Sequence, residues 1–262
     1  MMIGRSRSIP TVFFRTVVRE RRRLLMDLVQ RIDDGRRIDL NESERHYLRR
    51  VLRLRVGDQV DVVNGQGGLW LGTLEDVDRL TLTSALGSPQ RSEPRSGCGL
   101  GLAVALMRRD SDIWIRMACE LGIDWIQPVL ADRCVPQAEQ RPERWQTIVR
   151  ESVEQCERLW APIIYPVVPL QTWLTTMDGR AAMAVTRLSA TASLSEWLQD
   201  EPTASRTWLL VGPEGGWSQT EEGLVESGQL SGVSLGMNIL RSSTAAVRGA
   251  VELVKWREAQ QN

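Results

Sequence analysis

Histidine and lysine are almost missing from this chain of 262 residues: His46 is the only histidine and Lys255 the only lysine. No partner for His46 is visible in the sequence, so it reads as a residue that packs or caps locally rather than as a catalyst. Cysteine is sparse too. Cys98, Cys119, Cys134 and Cys156 stand far apart without a C-x-x-C spacing, which supports neither a disulfide framework nor a zinc site. No apolar run approaches a membrane span, and residues 1–10 lack the apolar segment and small-residue cleavage site of a signal peptide. These absences lead to the expectation of a soluble, cytoplasmic, globular protein with no membrane partner and no metal.

What the chain does have is arginine, which makes up nearly all of its 33 basic residues and balances 33 acidic ones. The balance is uneven along the chain: residues 1–88 hold 16 arginines against 12 acids, and the remainder 17 basic residues against 21 acids. Arginine suits bidentate phosphate contact and stacking on bases. The length allows one large or two modest domains.

After an arginine-rich lead-in (Arg19, Arg21, Arg22, Arg23), Asn41 to Glu44 has the form of a capping box. The helix it opens is expected to put Tyr47, Leu48, Val51 and Leu52 on one face and Arg45, Arg49 and Arg53 on another, a basic stripe without an acid, with Arg50 beside it. Short strands are predicted over 58–64, 69–76 and 79–85, the first two joined by a glycine turn at 65–68. The polar stretch 87–97 reads as a linker. Beyond it strands and helices alternate: a strand at 100–107, a helix at 111–121 ended by Gly122, a strand at 125–130, and a long helix at 141–160. Further strand and helix candidates follow at 163–168, 170–177, 181–186 and 194–198. Such alternation argues for a parallel sheet with helices on both faces. Gly97, Gly99 and Gly101 precede a strand rather than a helix and are not read as a dinucleotide fingerprint.

Two stretches near the C-terminus carry the chemistry. An apolar run at 207–210 leads into Gly212-Pro213-Glu214-Gly215-Gly216-Trp217-Ser218 and a helix opening at Gln219. A strand that feeds a helix through such a turn aims backbone N–H groups at a ligand, and the glycines permit its close approach. A second run, 233–235, ends at Gly236 and leads through Ile239, Leu240 and Arg241 into a helix at 242–256. Two glycine loops at the carboxyl edge of one parallel sheet make a binding crevice.

At these residues the chain resembles the SPOUT superfamily of S-adenosylmethionine-dependent RNA methyltransferases, and within it the RsmE-type 16S ribosomal RNA uridine-N3 methyltransferases. The family's GPEGG-(F/W)-S turn is intact. Its LG-x-R-ILR-x-ETA segment is present with Asn238 in place of Arg and Ser243 in place of Glu. The segments HYLRRVLRLRVGD, ELGI (120–123), Arg144-Trp145 and EQCER (154–158) extend the resemblance over almost the whole chain. It implies an α/β fold: a small PUA-like RNA-binding β-barrel (1–88), a linker (89–97) and a SPOUT methyltransferase domain (98–262) with a trefoil knot. It also implies a homodimer that binds 16S ribosomal RNA or the small ribosomal subunit through Arg45, Arg49, Arg50 and Arg53. S-adenosylmethionine is expected to be held by Leu210, Gly212, Pro213, Glu214, Gly216, Leu235, Gly236, Ile239, Leu240 and Ala245. The implied reaction methylates uridine N3. Arg241 is the candidate to stabilise negative charge, and Glu214 is either the proton acceptor or a charge complement to the following helix. Other readings are a SPOUT methyltransferase with another RNA target, or a noncatalytic RNA-binding ribosome-assembly factor.

Overall fold

The structure, a computed structural model, describes residues 21–28, 36–95, 97–138, 140–186, 191–200 and 205–261. Residues 1–10 and Arg19, named above, lie outside the described residues.

The N-terminal part builds one sheet from β1 (Arg23–Leu25), β2 (Arg37–Asp39), β3 (Gln59–Val63), β4 (Gly68–Leu74), β5 (Arg79–Leu82) and β6 (Arg91–Ser92), in the order β1-β3-β4-β5-β2 with β6 added to β4. Only the β1–β3 pairing is parallel. Alternation along β3 and β4 sends Val60, Val62, Trp70 and Leu74 into a shared core with Leu24, Ile38, Leu48 and Leu80. The predicted linker is therefore not a free tether, because Arg91 and Ser92 extend the sheet.

The capping box is present. Glu44 N–H donates to Asn41 Oδ1 and Asn41 N–H to Glu44 Oε2, both at 2.9 Å, and they open α1 (Glu42–His46). The helix then widens: Leu52 N–H reaches back five residues to the Tyr47 carbonyl, and Arg53 turns left-handed at φ 56°. The π-type turn holds an extra residue, so side chains after Leu48 leave the 3.6-residue register. This corrects two expectations. Val51 is exposed rather than packed, and Arg53 drops off the stripe that Arg45 and Arg49 begin.

The second sheet comprises β7 (Gly99–Ala105), β8 (Trp125–Leu130), β9 (Ile163–Ile164), β10 (Val168–Pro169), β11 (Arg180–Ala184), β12 (Ala192–Ser193), β13 (Arg206–Val211) and β14 (Ser231–Ser234). Its order is β10-β8-β7-β13-β11-β14-β12, with β9 beside β8, and every pairing is parallel. One face packs on α2 (Ser111–Leu121), α3 (Pro142–Cys156), α5 (Leu194–Asp200) and α7 (Ser242–Ala259); the other packs on α4 (Leu170–Thr176) and α6 (Gln219–Glu226). The strands are apolar on both faces, as this layering demands. In β13, Leu209 and Val211 enter one core while Trp208 and Leu210 enter the other. Gly99 and Gly101 lie within β7, and they are glycines because the Trp125 and Trp208 rings occupy the space a β-carbon would take.

Helix α3 stops earlier than expected, at a left-handed Glu157, and frees the next residues to grip the N-terminal sheet. Gly67 N–H donates to the Leu159 carbonyl and Ala161 N–H to the Gly65 carbonyl, both at 2.9 Å. Leu25 N–H donates to Glu154 on α3 at 3.0 Å. Burial raises the Glu154 carboxyl above the usual carboxylate range. The Arg95 guanidinium lies 4.8 Å from the Trp125 ring and 4.9 Å from that of Trp160.

Candidate active site

β7 and β13 are neighbours at the centre of the sheet, yet the chain leaves β7 towards β8 on the opposite side. Their carboxyl ends thus diverge at a switch point, which is where an open parallel sheet presents a crevice. The turn after β13 fills its floor. Gly216 adopts φ 71° and donates its N–H to the Pro213 carbonyl at 2.9 Å. Trp217 is buried, stacks against Gly212 and donates Nε1–H to the Ala184 carbonyl at 2.8 Å, fixing the turn to the end of β11.

The helix that follows is capped by its own sequence. Ser218 and Glu221 form a reciprocal capping box, and Glu221 also accepts the Asp132 N–H at 2.9 Å. Ser218 Oγ donates to Asp132 Oδ2 at 2.6 Å, and Arg133 reaches the Gly215 carbonyl at 3.3 Å. The loop after β8 therefore braces the turn, a contact that nothing local in the sequence signals.

The loop after β14 supplies the second wall. Gly236 has φ 129°, a conformation that side chains rarely adopt, and nothing stands within 4 Å of where its β-carbon would be. The same open space lies beside Gly216. Between the two loops runs a cleft of about 150 Å³, lined by Val211, Leu235, Leu240 and Ala245 and by Ala184, Val185 and Thr186 at the end of β11. A wider recess of about 590 Å³ adjoins it and shares Thr186, Pro213, Gly215, Gly216, Ile239, Leu240 and Ser242. The recess adds Glu214, Arg241 and Ser243 to Met107, Arg109 and Asp110 at the end of β7.

Of the residues expected to hold a cofactor, Gly212, Pro213, Gly216, Leu235, Gly236, Ile239, Leu240 and Ala245 meet along the cleft, as do Asn238 and Met237. Leu210 does not line it; its side chain is buried beneath the sheet, and Val211 takes the wall position. Glu214 lines the recess, where its Oε1 accepts the Arg108 N–H at 2.9 Å. Arg241 is exposed at the start of α7. Arg109, Asp110 and Thr186 were not singled out in the sequence.

Far from this cleft, Arg45, His46, Arg49 and Arg50 share a surface with Glu42, Val77 and Asp78. Arg45 pairs with Asp78 at 2.7 Å, so the stripe does meet an acid, brought by the turn between β4 and β5. A groove of about 700 Å³ lies between the two sheets, lined in part by Asn64, Gln66, Arg95, Gln146, Arg150 and Trp160. Among the described residues there is no group of acids, histidines or cysteines that could hold a metal, and no helix long and apolar enough to cross a membrane.

Residues 94–251 match the model of an RNA methyltransferase domain, and residues 40–86 that of an RNA methyltransferase PUA domain. Ribosomal RNA small subunit methyltransferase E of Synechocystis is 34% identical over 212 residues, covering 79% of this chain and 69% of the relative. The protein of that name from Rickettsia conorii is 31% identical, covering 85% and 91%. The chain belongs to the ribosomal RNA small subunit methyltransferase E family. In fold it is similar to the Neisseria gonorrhoeae member bound to S-adenosyl methionine, with a TM-score of 0.72 at 24% identity over 89% of this chain and 97% of the other. A Legionella pneumophila methyltransferase in complex with the same cofactor also gives 0.72, at 22% identity over 92% and 97%.

Proposed function

We propose that the chain transfers a methyl group from S-adenosylmethionine to N3 of a uridine in the 3′ part of 16S ribosomal RNA, as naked RNA or in the small subunit, in the cytoplasm. The observation that carries this reading is the pairing of the glycine-floored cleft with a recess that shares its wall and holds two arginines, Arg109 and Arg241. The cleft suits the cofactor. Gly216 and Gly236 leave backbone open where any β-carbon would project, and Val211, Leu235, Leu240 and Ala245 offer an apolar wall to a purine ring. When bound, the cofactor supplies an electrophilic methyl group.

The remaining work belongs to the protein. The two loops fix the donor against the recess, so that much of the acceleration comes from orientation. Uridine N3 must lose a proton as it attacks, and negative charge spreads to the ring carbonyl oxygens. Arg241 and Arg109 supply positive charge in the recess where that occurs. Glu214 holds the loop after β7 through the Arg108 N–H.

RNA is held, on this reading, by Arg45, Arg49 and Arg50 and by the groove with Arg95, Arg150 and Trp160, which offers guanidinium, amide and indole groups to an unpaired strand. A division into an N-terminal RNA-binding part that runs through β6 and a C-terminal methyltransferase part, with a knot in the latter, belongs to the same proposal. So does a homodimer. Ala246, Ala250 and Leu253 are consumed by the core of their own subunit. The exposed Ile113, Met117 and Val251 on the adjacent helices α2 and α7 are the apolar residues left for a second copy. Light scattering at low micromolar concentration is expected to give twice 29.6 kDa; the mass of one chain in an active sample contradicts the dimer. Transfer of tritium from labelled S-adenosylmethionine to 16S ribosomal RNA tests the activity itself. An RNA-binding protein without transferase activity gives no label.

A further inference from the structure

The recess contains two carboxylates, and they are in different states. Glu214 is engaged with the Arg108 N–H. Asp110, two residues further along the same loop, is exposed, makes no capping hydrogen bond to α2 and pairs with no cation among the described residues. Its backbone is unusual. Asp110 occupies the N-cap position of α2 at φ 71°, ψ 9°, where a capping residue is ordinarily extended and bonds the helix with its side chain.

Among the described residues only Arg53, Asp110 and Glu157 have positive φ without being glycine. Arg53 and Glu157 sit where helices end, an ordinary place for the left-handed conformation. Asp110 is the one that starts a helix, and it does so on the wall of the recess. Strain of this kind persists where surrounding contacts over-determine it, and it gathers at functional sites. The contacts are visible: the Arg108 N–H is anchored on Glu214, and the Asp110 carbonyl accepts the N–H groups of Ile113 and Trp114 at 3.1 and 3.2 Å. They keep the Asp110 side chain out of the capping role that an extended backbone would give it.

We infer that Asp110 is the catalytic proton acceptor for uridine N3, an assignment that rests on the function proposed above. The chain has no histidine to serve this role beyond His46, which lies on the other sheet's side near Arg49. In the step, the N3–H bond breaks with its proton passing to a carboxylate oxygen of Asp110. The N3–carbon bond forms as the donor's sulfur–carbon bond breaks, and that electron pair stays on sulfur. Asp110 then releases its proton to water. The neighbouring Arg109 and Arg241 offset the charge that builds on the uracil ring while the proton moves.

The test compares single-turnover methyl transfer to a transcript of the 16S ribosomal RNA 3′ domain. Asp110→Asn keeps the size and the tolerance of a left-handed backbone, and it is expected to lower the rate by about 100-fold or more. S-adenosylmethionine affinity by calorimetry is expected to stay that of the wild type. Asp110→Gly, which relieves the strain and removes the carboxylate, is expected to regain rate when formate is added. A transcript made with 5-fluorouridine, whose N3 is more acidic, is expected to narrow the gap between wild type and Asp110→Asn. An Asp110→Asn rate within a few-fold of wild type overturns the assignment. So does a loss accompanied by weaker cofactor binding that neither formate nor 5-fluorouridine mitigates, since that is the behaviour of a residue that merely starts α2. A wild-type protein that methylates no ribosomal RNA overturns the proposed function instead, and is seen before any variant is compared.

Discussion

Gly236 illustrates how much of the site depends on single residues. Its φ of 129° and the empty space about it make room for a ligand against bare backbone. Gly236→Val both strains that backbone and fills the cleft, and calorimetry is expected to find S-adenosylmethionine binding abolished in a folded variant. Unchanged affinity removes the cleft from consideration as the cofactor site. A second residue-scale expectation concerns a pair of thiols. Cys119 lies in the core and Cys156 half-exposed at the end of α3, and a hydrogen bond from Cys119 holds the Cys156 thiol below the ordinary thiol range against the opposing effect of burial. The thiolate is then present above that lowered pKa and is lost as pH falls through it. Iodoacetamide modification of Cys156 should therefore level off before the ordinary thiol range is reached. A rate that keeps climbing through the ordinary thiol range contradicts the lowered pKa. At this scale the sequence was legible where chemistry is local: Asn41 with Glu44 and the Gly215-Gly216 pair announce their structure. Asp110 was not, because nothing in its neighbours tells a left-handed helix start from an ordinary cap, and the contact that enforces it comes from Glu214 far along the chain.

At the scale of elements, the central strands of both sheets were readable from apolar runs and glycine punctuation and the helix at 111–121 falls where expected, whereas the short strands β1, β2 and β6 were not, being two or three residues long with arginine in each. The errors cluster where backbone geometry departs from the standard period. The π-type turn at Tyr47–Val51 shifts Val51 and releases Arg53, and an arginine run read at 3.6 residues per turn carries no mark of that widening. Alanines on α7 look the same in sequence whether they face their own core or a partner; Gly249 against Leu209 shows that here they allow close approach to β13. The end of that helix is tied down by a buried acid. Asp124 accepts from Arg257 at 2.6 Å and from the Leu100 N–H at 2.9 Å, with Arg158 3.8 Å away. Asp124→Asn leaves two largely buried guanidinium groups without their counter-charge, and is expected to destabilise the fold by about 3–5 kcal/mol in urea unfolding. A midpoint equal to wild type contradicts a structural role for this cluster.

For the whole molecule, function depends on two parts with different tasks held in one frame by the Leu159–Ala161 clamp, Glu154 and the Arg95 stack. Replacing Arg45, Arg49 and Arg50 together by Gln should weaken ribosomal RNA binding and flatten its salt dependence. Each lost phosphate contact lowers the log–log slope by about 0.7 to 0.9, and Arg45 contributes least because Asp78 already pairs with it. Cofactor affinity should not change; an RNA slope equal to wild type retires this surface as an anchor. The central claim is the nature of the product. Ribosomal RNA lacking the modification, incubated with the protein and S-adenosylmethionine, digested to nucleosides and analysed by mass spectrometry against standards, is predicted to yield N3-methyluridine from the 3′ part of the small-subunit RNA. A methyl group on any other atom or nucleotide, or none, contradicts the account.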